Sequence, residues 1–188
     1  MFSEILYIRK KGSRRITLSL LANGVVKVSF PYHMPLFLAK VFFLKEKGAL
    51  EKLRLVKEER KNYLINTYQL SSQLFTSHAP KKIEEYKKEA YQYVTEWLQA
   101  LSQKVPFVYT SVSIKNTKTR WGSCSSKKSL SFHYKILFLP EDLAEYLLIH
   151  ELCHLQEMNH SKKFWDLVDQ FCANYESKRK LLGSIPCV

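Results

Sequence analysis

The spacing of hydrophobic positions changes character several times along this 188-residue chain, and each change predicts an element. ILYIRK (5–10), RRITLSLL (14–21) and VVKVSF (25–30) are short runs of β-branched, aromatic and other apolar residues, so they read as strands. Asn23-Gly24 separates the last two and tolerates the positive φ of a type I′ turn, which predicts a hairpin. Pro31 ends that pattern. From Pro35 to about Lys61 the apolar residues recur at helical spacing (Leu36, Ala39, Phe43), with Gly48 as the weak point. The stretch 62–80 reads as a connection in which TYQLSSQLF is a strand candidate.

Beyond it, Ile83, Tyr86, Ala90, Val94, Trp97 and Leu101 keep the three-and-four spacing of an amphipathic helix over 81–104. PFVYTSVSI (106–114) predicts a strand and KNTKTRWGSCSSKK (115–128) a polar loop. LSFHYKILFL (130–139) alternates, with Leu130, Phe132, Tyr134, Ile136 and Phe138 on one face and His133 on the other. Pro140 stops it, and Glu141 and Asp142 suit the first turn of a new helix. The order of elements predicts an α+β protein. A β-hairpin-rich lobe with a basic helix occupies 1–75, and a second domain with a short mixed or antiparallel sheet occupies 76–188.

That last helix carries the chemistry. In HELCHLQEMNHSKKFW (150–165), helical geometry sets His150 and His154 about 40° and about 6 Å apart on one side. Glu151 falls about 60° from His154, adjacent to the ion that two imidazoles would grip. This is the arrangement of HExxH, in which two histidines fix Zn2+ and the carboxylate takes a proton from water. Apolar residues surround most of the helix, so it is buried, and buried imidazoles need partners that a metal supplies. A catalytic zinc takes a third protein ligand. On a continuous helix His160 would lie about 9 Å beyond His154. The helix is therefore expected to end near Met158, with Asn159 left-handed and Ser161 capping a further helix through Phe164, Val168, Phe171 and Tyr175. His160 is the preferred third ligand and Glu157 the alternative. Cys153 reads as a small core residue.

Composition narrows the setting. Thirty Lys and Arg against 17 Asp and Glu give +13, which favours an anionic partner, nucleic acid included. Four cysteines without a CxxC pair suggest free thiols and a reducing compartment. No apolar run reaches membrane-spanning length and no secretory pattern opens the chain, so a cytoplasmic protein is expected. In RWGSC, Arg120 is a candidate for binding a substrate carboxylate or polarising a carbonyl, and Trp121 either walls a cleft or covers the core. Tyr134, His133 and Arg120 all remain candidates for stabilising an oxyanion. Cys124 reads as a buried thiol rather than a switch ligand.

TRWGSCSSK, the strand ending in FLP, and HELCHLQEMNHSKKFW together resemble the YgjP-like metallopeptidases, relatives of the SprT-type and small gluzincin proteases. The amino-terminal RRITLSLLANGVVKVSFP followed by a basic helix extends the likeness over almost the whole chain. The resemblance implies a zincin-like catalytic domain and a zinc-dependent peptidase, with His150, His154 and His160 as ligands and Glu151 as general base. It also implies that the strand before the motif helix forms the edge along which a peptide adds. SFHYKI departs from the family's Asn-aromatic-Arg pattern. Two other functions remain in view: a nucleic-acid-associated zinc protein acting on DNA-bound proteins, and a non-catalytic zinc-binding adaptor.

Overall fold

The computed structural model describes residue 2, residues 4–21 and residues 24–187. The architecture is α+β, with two small mixed sheets. The chain forms two compact units, Met1–Gln69 and Leu70–Val188. The expected boundary at 75 coincides with the end of a short 3-10 turn, Ser72–Phe75, in the second unit. No helix among the described residues is long and apolar enough to cross a membrane.

In the first unit, strands β1 (Ile5–Lys10), β2 (Thr17–Leu20) and β3 (Val26–Pro31) form a sheet of order β1-β3-β2. β3 is central, antiparallel to β2 and parallel to β1. The reversal between β2 and β3 closes through Gly24 N–H to the Leu21 carbonyl (3.1 Å) and Leu21 N–H to the Val25 carbonyl (2.9 Å). Gly24 has φ 79°, the left-handed freedom expected of it; its partner Asn23 lies outside the described residues.

Helix α1 (Leu36–Tyr68) runs 33 residues, passing Gly48 without a break and taking up residues 62–68 of the expected connection; the rest remains a connection, in which a 3-10 turn, Ser72–Phe75, stands where a strand was expected. A single glycine costs about 1 kcal/mol against alanine, too little to stop a helix whose buried stripe, Ala39, Phe43, Leu50 and Leu64, continues on both sides. The stripe also overrides the β propensity of the Tyr68 region. Left-handed Gln69, φ 54°, ends the helix by donating its N–H to the Ile65 carbonyl. Val26, Val28, Phe30, Ala39, Phe43 and Leu50 make this unit's core.

In the second unit, α2 (Pro80–Leu101) buries Ala90, Val94, Leu98 and Leu101. Strands β4 (Ser111–Lys115), β5 (Gly122–Cys124) and β6 (Ser129–His133) follow, in the sheet order β4-β6-β5. β6 runs parallel to β4 and antiparallel to β5. The strand preceding the motif helix is therefore the middle of the sheet and not its edge; the edges are β4 and β5. β5 lies within the segment expected to be loop, because three residues, one a glycine, carry too little β signal to read.

The strand expected over 130–139 ends at His133, and Tyr134–Phe138 forms a 3-10 turn. His133 causes the change: its Nδ1 accepts the Lys135 N–H at 3.1 Å and caps the turn. His133 is also 1% exposed instead of facing solvent, and Lys135 is fully buried with its ammonium donating to the carbonyls of Leu74 (3.0 Å) and Thr76 (2.7 Å). β6 is buried on both faces, which puts His133 inside, and beyond it the backbone leaves the strand.

Helix α3 (Glu141–Cys153) buries nine of its 13 residues. It ends well before Met158, with His154 at its C-cap, and Asn159 is not among the left-handed residues. Gln156 and Glu157 N–H both bond the Cys153 carbonyl, at 3.1 and 3.0 Å, so the chain turns sooner than expected. Ser161 precedes α4 (Lys162–Phe171) without a side-chain cap bond. The expected continuation through Tyr175 is broken at Asn174, φ 57°, and Tyr175 starts α5 (Tyr175–Ser184).

Candidate metal centre

The early end of α3 brings the third histidine back. His150 and His154 occupy the last turn and the cap of α3, and His160 arrives from the turn before α4. One ring nitrogen from each of the three lies within 4.8 Å of the others. His150 Nε2 and His160 Nε2 are 3.1 Å apart, and the three ring centroids are separated by 4.7 to 5.1 Å. Three imidazoles grouped this closely could hold one metal ion.

The surroundings fix the rings. His154 Nδ1 lies 3.0 Å from the Glu157 carbonyl, an acceptor only, so Nδ1 carries the proton and Nε2 offers its lone pair. This is what Glu157 contributes; its carboxylate is not in the cluster. Tyr146 places its hydroxyl 3.5 Å from His150 Nδ1, one helical turn before it. Phe164 stacks on His154 with centroids 4.4 Å apart, and Trp165 stacks on His160 at 5.4 Å. Phe164 is fully buried, while half-buried Trp165 backs His160.

Burial lowers the pKa of all three imidazoles, and for His150, which also faces the other two and Arg179, it falls to about 3. All three are thus neutral at ordinary pH, the state in which imidazole ligates. The set fits a metal ion that keeps a non-protein position, since no fourth donor among the described residues joins it.

Glu151 is 4% exposed, and burial raises its carboxyl pKa to about 8. Its Oε2 is buried with no hydrogen-bond partner among the described residues, and Glu151 lines the same cavity as the three histidines. Gly122 of β5 packs against it: a Cβ there would stand 2.5 Å from Oε1.

A cavity of about 450 Å³ opens over this group, walled by Arg120, Trp121 and Gly122 on one side and by Tyr146, Met158 and Arg179 among others. The structure therefore brings Arg120 and Trp121 to the centre. Trp121 is also mostly buried, its Nε1–H donating to the Ile185 carbonyl at 3.2 Å, so it both lines the cavity and anchors the carboxyl-terminal segment. Tyr134 is not brought there. It is buried among aromatic rings, its hydroxyl 3.0 Å from His78 Nδ1 and its ring stacked on Tyr86, and His133 is likewise absent from the cavity wall. Cys124 does line the cavity, with its thiol pKa raised by burial and by nearby Glu151. Sequence reasoning missed Tyr146, whose four-residue spacing to His150 was available, and Arg179, for which no local pattern existed.

A protein-family model, the YgjP-like metallopeptidase domain, matches residues 51–184. The chain belongs to the YgjP-like metallopeptidase family. Every residue of the histidine cluster, Glu151 and the RWGSC segment falls within the matched region. No curated protein matches the sequence. Among solved structures, the crystal structure of the metallopeptidase zymogen of Pyrococcus abyssi abylysin is similar. The two are 25% identical over 47% of this chain and 87% of that one, with a TM-score of 0.42.

Proposed function

We propose that this YgjP-like protein is a zinc-dependent peptidase, with His150, His154 and His160 holding the ion and Glu151 acting as general base. The observation that carries the reading is the grouping of three neutral imidazoles within 4.8 Å in one cavity with the buried carboxyl group of Glu151, whose Oε2 has no partner among the described residues. Three nitrogen donors and no fourth protein ligand are the donor set of catalytic rather than structural zinc. When bound, zinc supplies Lewis acidity, polarising the scissile carbonyl and acidifying water.

The protein's own groups do the rest. Glu151 accepts the proton of the attacking water as its oxygen bonds to the carbonyl carbon, then passes that proton to the departing amine as the C–N bond breaks. Its burial keeps bulk water from competing for that proton. Edge strand β5 borders the cavity and offers the extended backbone along which a peptide can add, the role first assigned to β6.

The test is Glu151→Gln, compared with the parent on a peptide library and by metal analysis. The variant should retain one zinc per chain and lose turnover by at least about a thousandfold, given the usual weight of a general base with the activation it provides. A Glu151→Gln protein that cleaves as the parent does would overturn the mechanism.

A further inference from the structure

The cavity wall carries a charge pattern that the hydrolytic step does not use. Apart from imidazoles, its charged side chains are Arg120, Arg179 and Glu151, and of these only Glu151 is buried. Arg179, on α5, holds its guanidinium carbon 4.1 Å from the centroid of the Trp165 ring. The Trp165 ring also lies near-parallel to those of His160 and Tyr175, at 20° and 11°, with centroids 5.4 Å away in each case. Arg179 thus sits one ring away from a metal-ligating imidazole, on a stack that fixes its position.

Stacking occupies the face of a guanidinium and leaves its edge N–H donors free. No carboxylate among the described residues pairs with those donors. Glu176 on the same helix and Asp166 and Asp169 on α4 are close enough to act on Tyr175, yet the ion pairs join lysines and glutamates of α1 and α2 only. A positioned, unpaired fork beside a reaction centre is a bidentate receptor for a carboxylate, and Arg120 adds positive potential from the opposite chain segment.

We infer that Arg179 is a specificity-determining residue that selects peptides presenting a carboxylate next to the scissile bond. The inference rests on the peptidase reading for its substrate class. The carboxylate can come from an Asp or Glu side chain or from a peptide's own carboxyl terminus, since both present the same two oxygens.

Binding is measured without turnover, on the Glu151→Gln protein in zinc-loaded and metal-free form, by Trp fluorescence and calorimetry. The ligands are short peptides that differ as Glu against Gln at each position, and as free acid against carboxyl-terminal amide. Arg179 should favour the charged member of a pair by about tenfold, the worth of one charge-assisted hydrogen-bonded pair, with or without metal. The position of the preference identifies side chain or terminus. Arg179→Gln should erase it, Arg179→Lys should recover only part of it, and Arg179→Glu should favour Lys-containing peptides. Equal affinities across the pairs, no binding of any peptide, or a preference that survives Arg179→Glu in a variant that melts normally would overturn the inference. Because binding is read apart from cleavage, a parent that selects carboxylates but cuts nothing would sink the peptidase reading alone.

Discussion

Gly122 and Glu151 share one space: a Cβ built on Gly122 would stand 2.5 Å from Glu151 Oε1 and 2.8 Å from its Cγ and Cδ. Real Cβ atoms do not approach that closely, so the glycine is required by the carboxylate. β5 is held to β6 by pairing of Gly122 with Phe132, and cannot easily retreat. Gly122→Ala should therefore displace the Glu151 side chain. Displacing a reacting group by about 1 Å costs on the order of a hundredfold in rate. The expected result is a fall of that size in kcat with zinc content unchanged, read by steady-state kinetics and metal analysis. Unchanged kcat would mean that Glu151 relaxes without cost.

The assignment of the third ligand separates two neighbouring residues. His160 supplies Nε2 to the cluster, whereas Glu157 supplies a backbone carbonyl to His154. Structural zinc sites gain about 10–16 kcal/mol, so one ligand of four is worth about 3 kcal/mol, or about two orders of magnitude in affinity. His160→Ala should lose that much in a chelator competition. Glu157→Ala keeps the carbonyl and should bind zinc as the parent does. Equal losses in both would reassign the ligand.

What the sequence revealed follows from how local each feature is. His150, Glu151 and His154 were legible because their geometry is set by one helix, where spacing alone fixes angle and rise. His160 was legible in outline, since the need for a turn could be argued, but the turn's place was not: the helix stops at Cys153 because Gln156 and Glu157 both bond its carbonyl. The positions of Arg179 and Gly122 were out of reach, as they arise from packing between elements distant in the chain. Tyr134 and His133 were out of reach for other reasons: β6 is buried on both faces, so His133 at its end is interior despite the alternation, and Tyr134, buried as its apolar face predicts, opens a 3-10 turn away from the cavity. Helix α1 shows the reverse bias, since turn and strand signals near its end yield to a buried stripe that continues to Leu64.

His133 also makes acid stability predictable. Burial, then the Lys135 ammonium, lowers its pKa from 6.5 to about 4, with the Thr117 backbone offsetting part of the shift. Its Nδ1 is committed as an acceptor to Lys135 N–H, so a second ring proton, which must go there, would break the bond that caps the turn. In the unfolded chain the same ring takes up a proton below pH 6.5. Between about 4 and 6.5 the unfolded state therefore holds more protons, and stability must fall as pH drops through that window and level off below it. Above 6.5 both states are neutral and the group contributes no slope. His133→Asn keeps an acceptor for the turn and removes the titration, so denaturant melts from pH 7.5 to 4 should show a shallower loss than the parent. The difference between the two proteins isolates this ring from the metal-site histidines, which titrate in both. Parallel profiles would show that His133 is protonated in the fold and that its contact with Lys135 N–H is not what caps the turn.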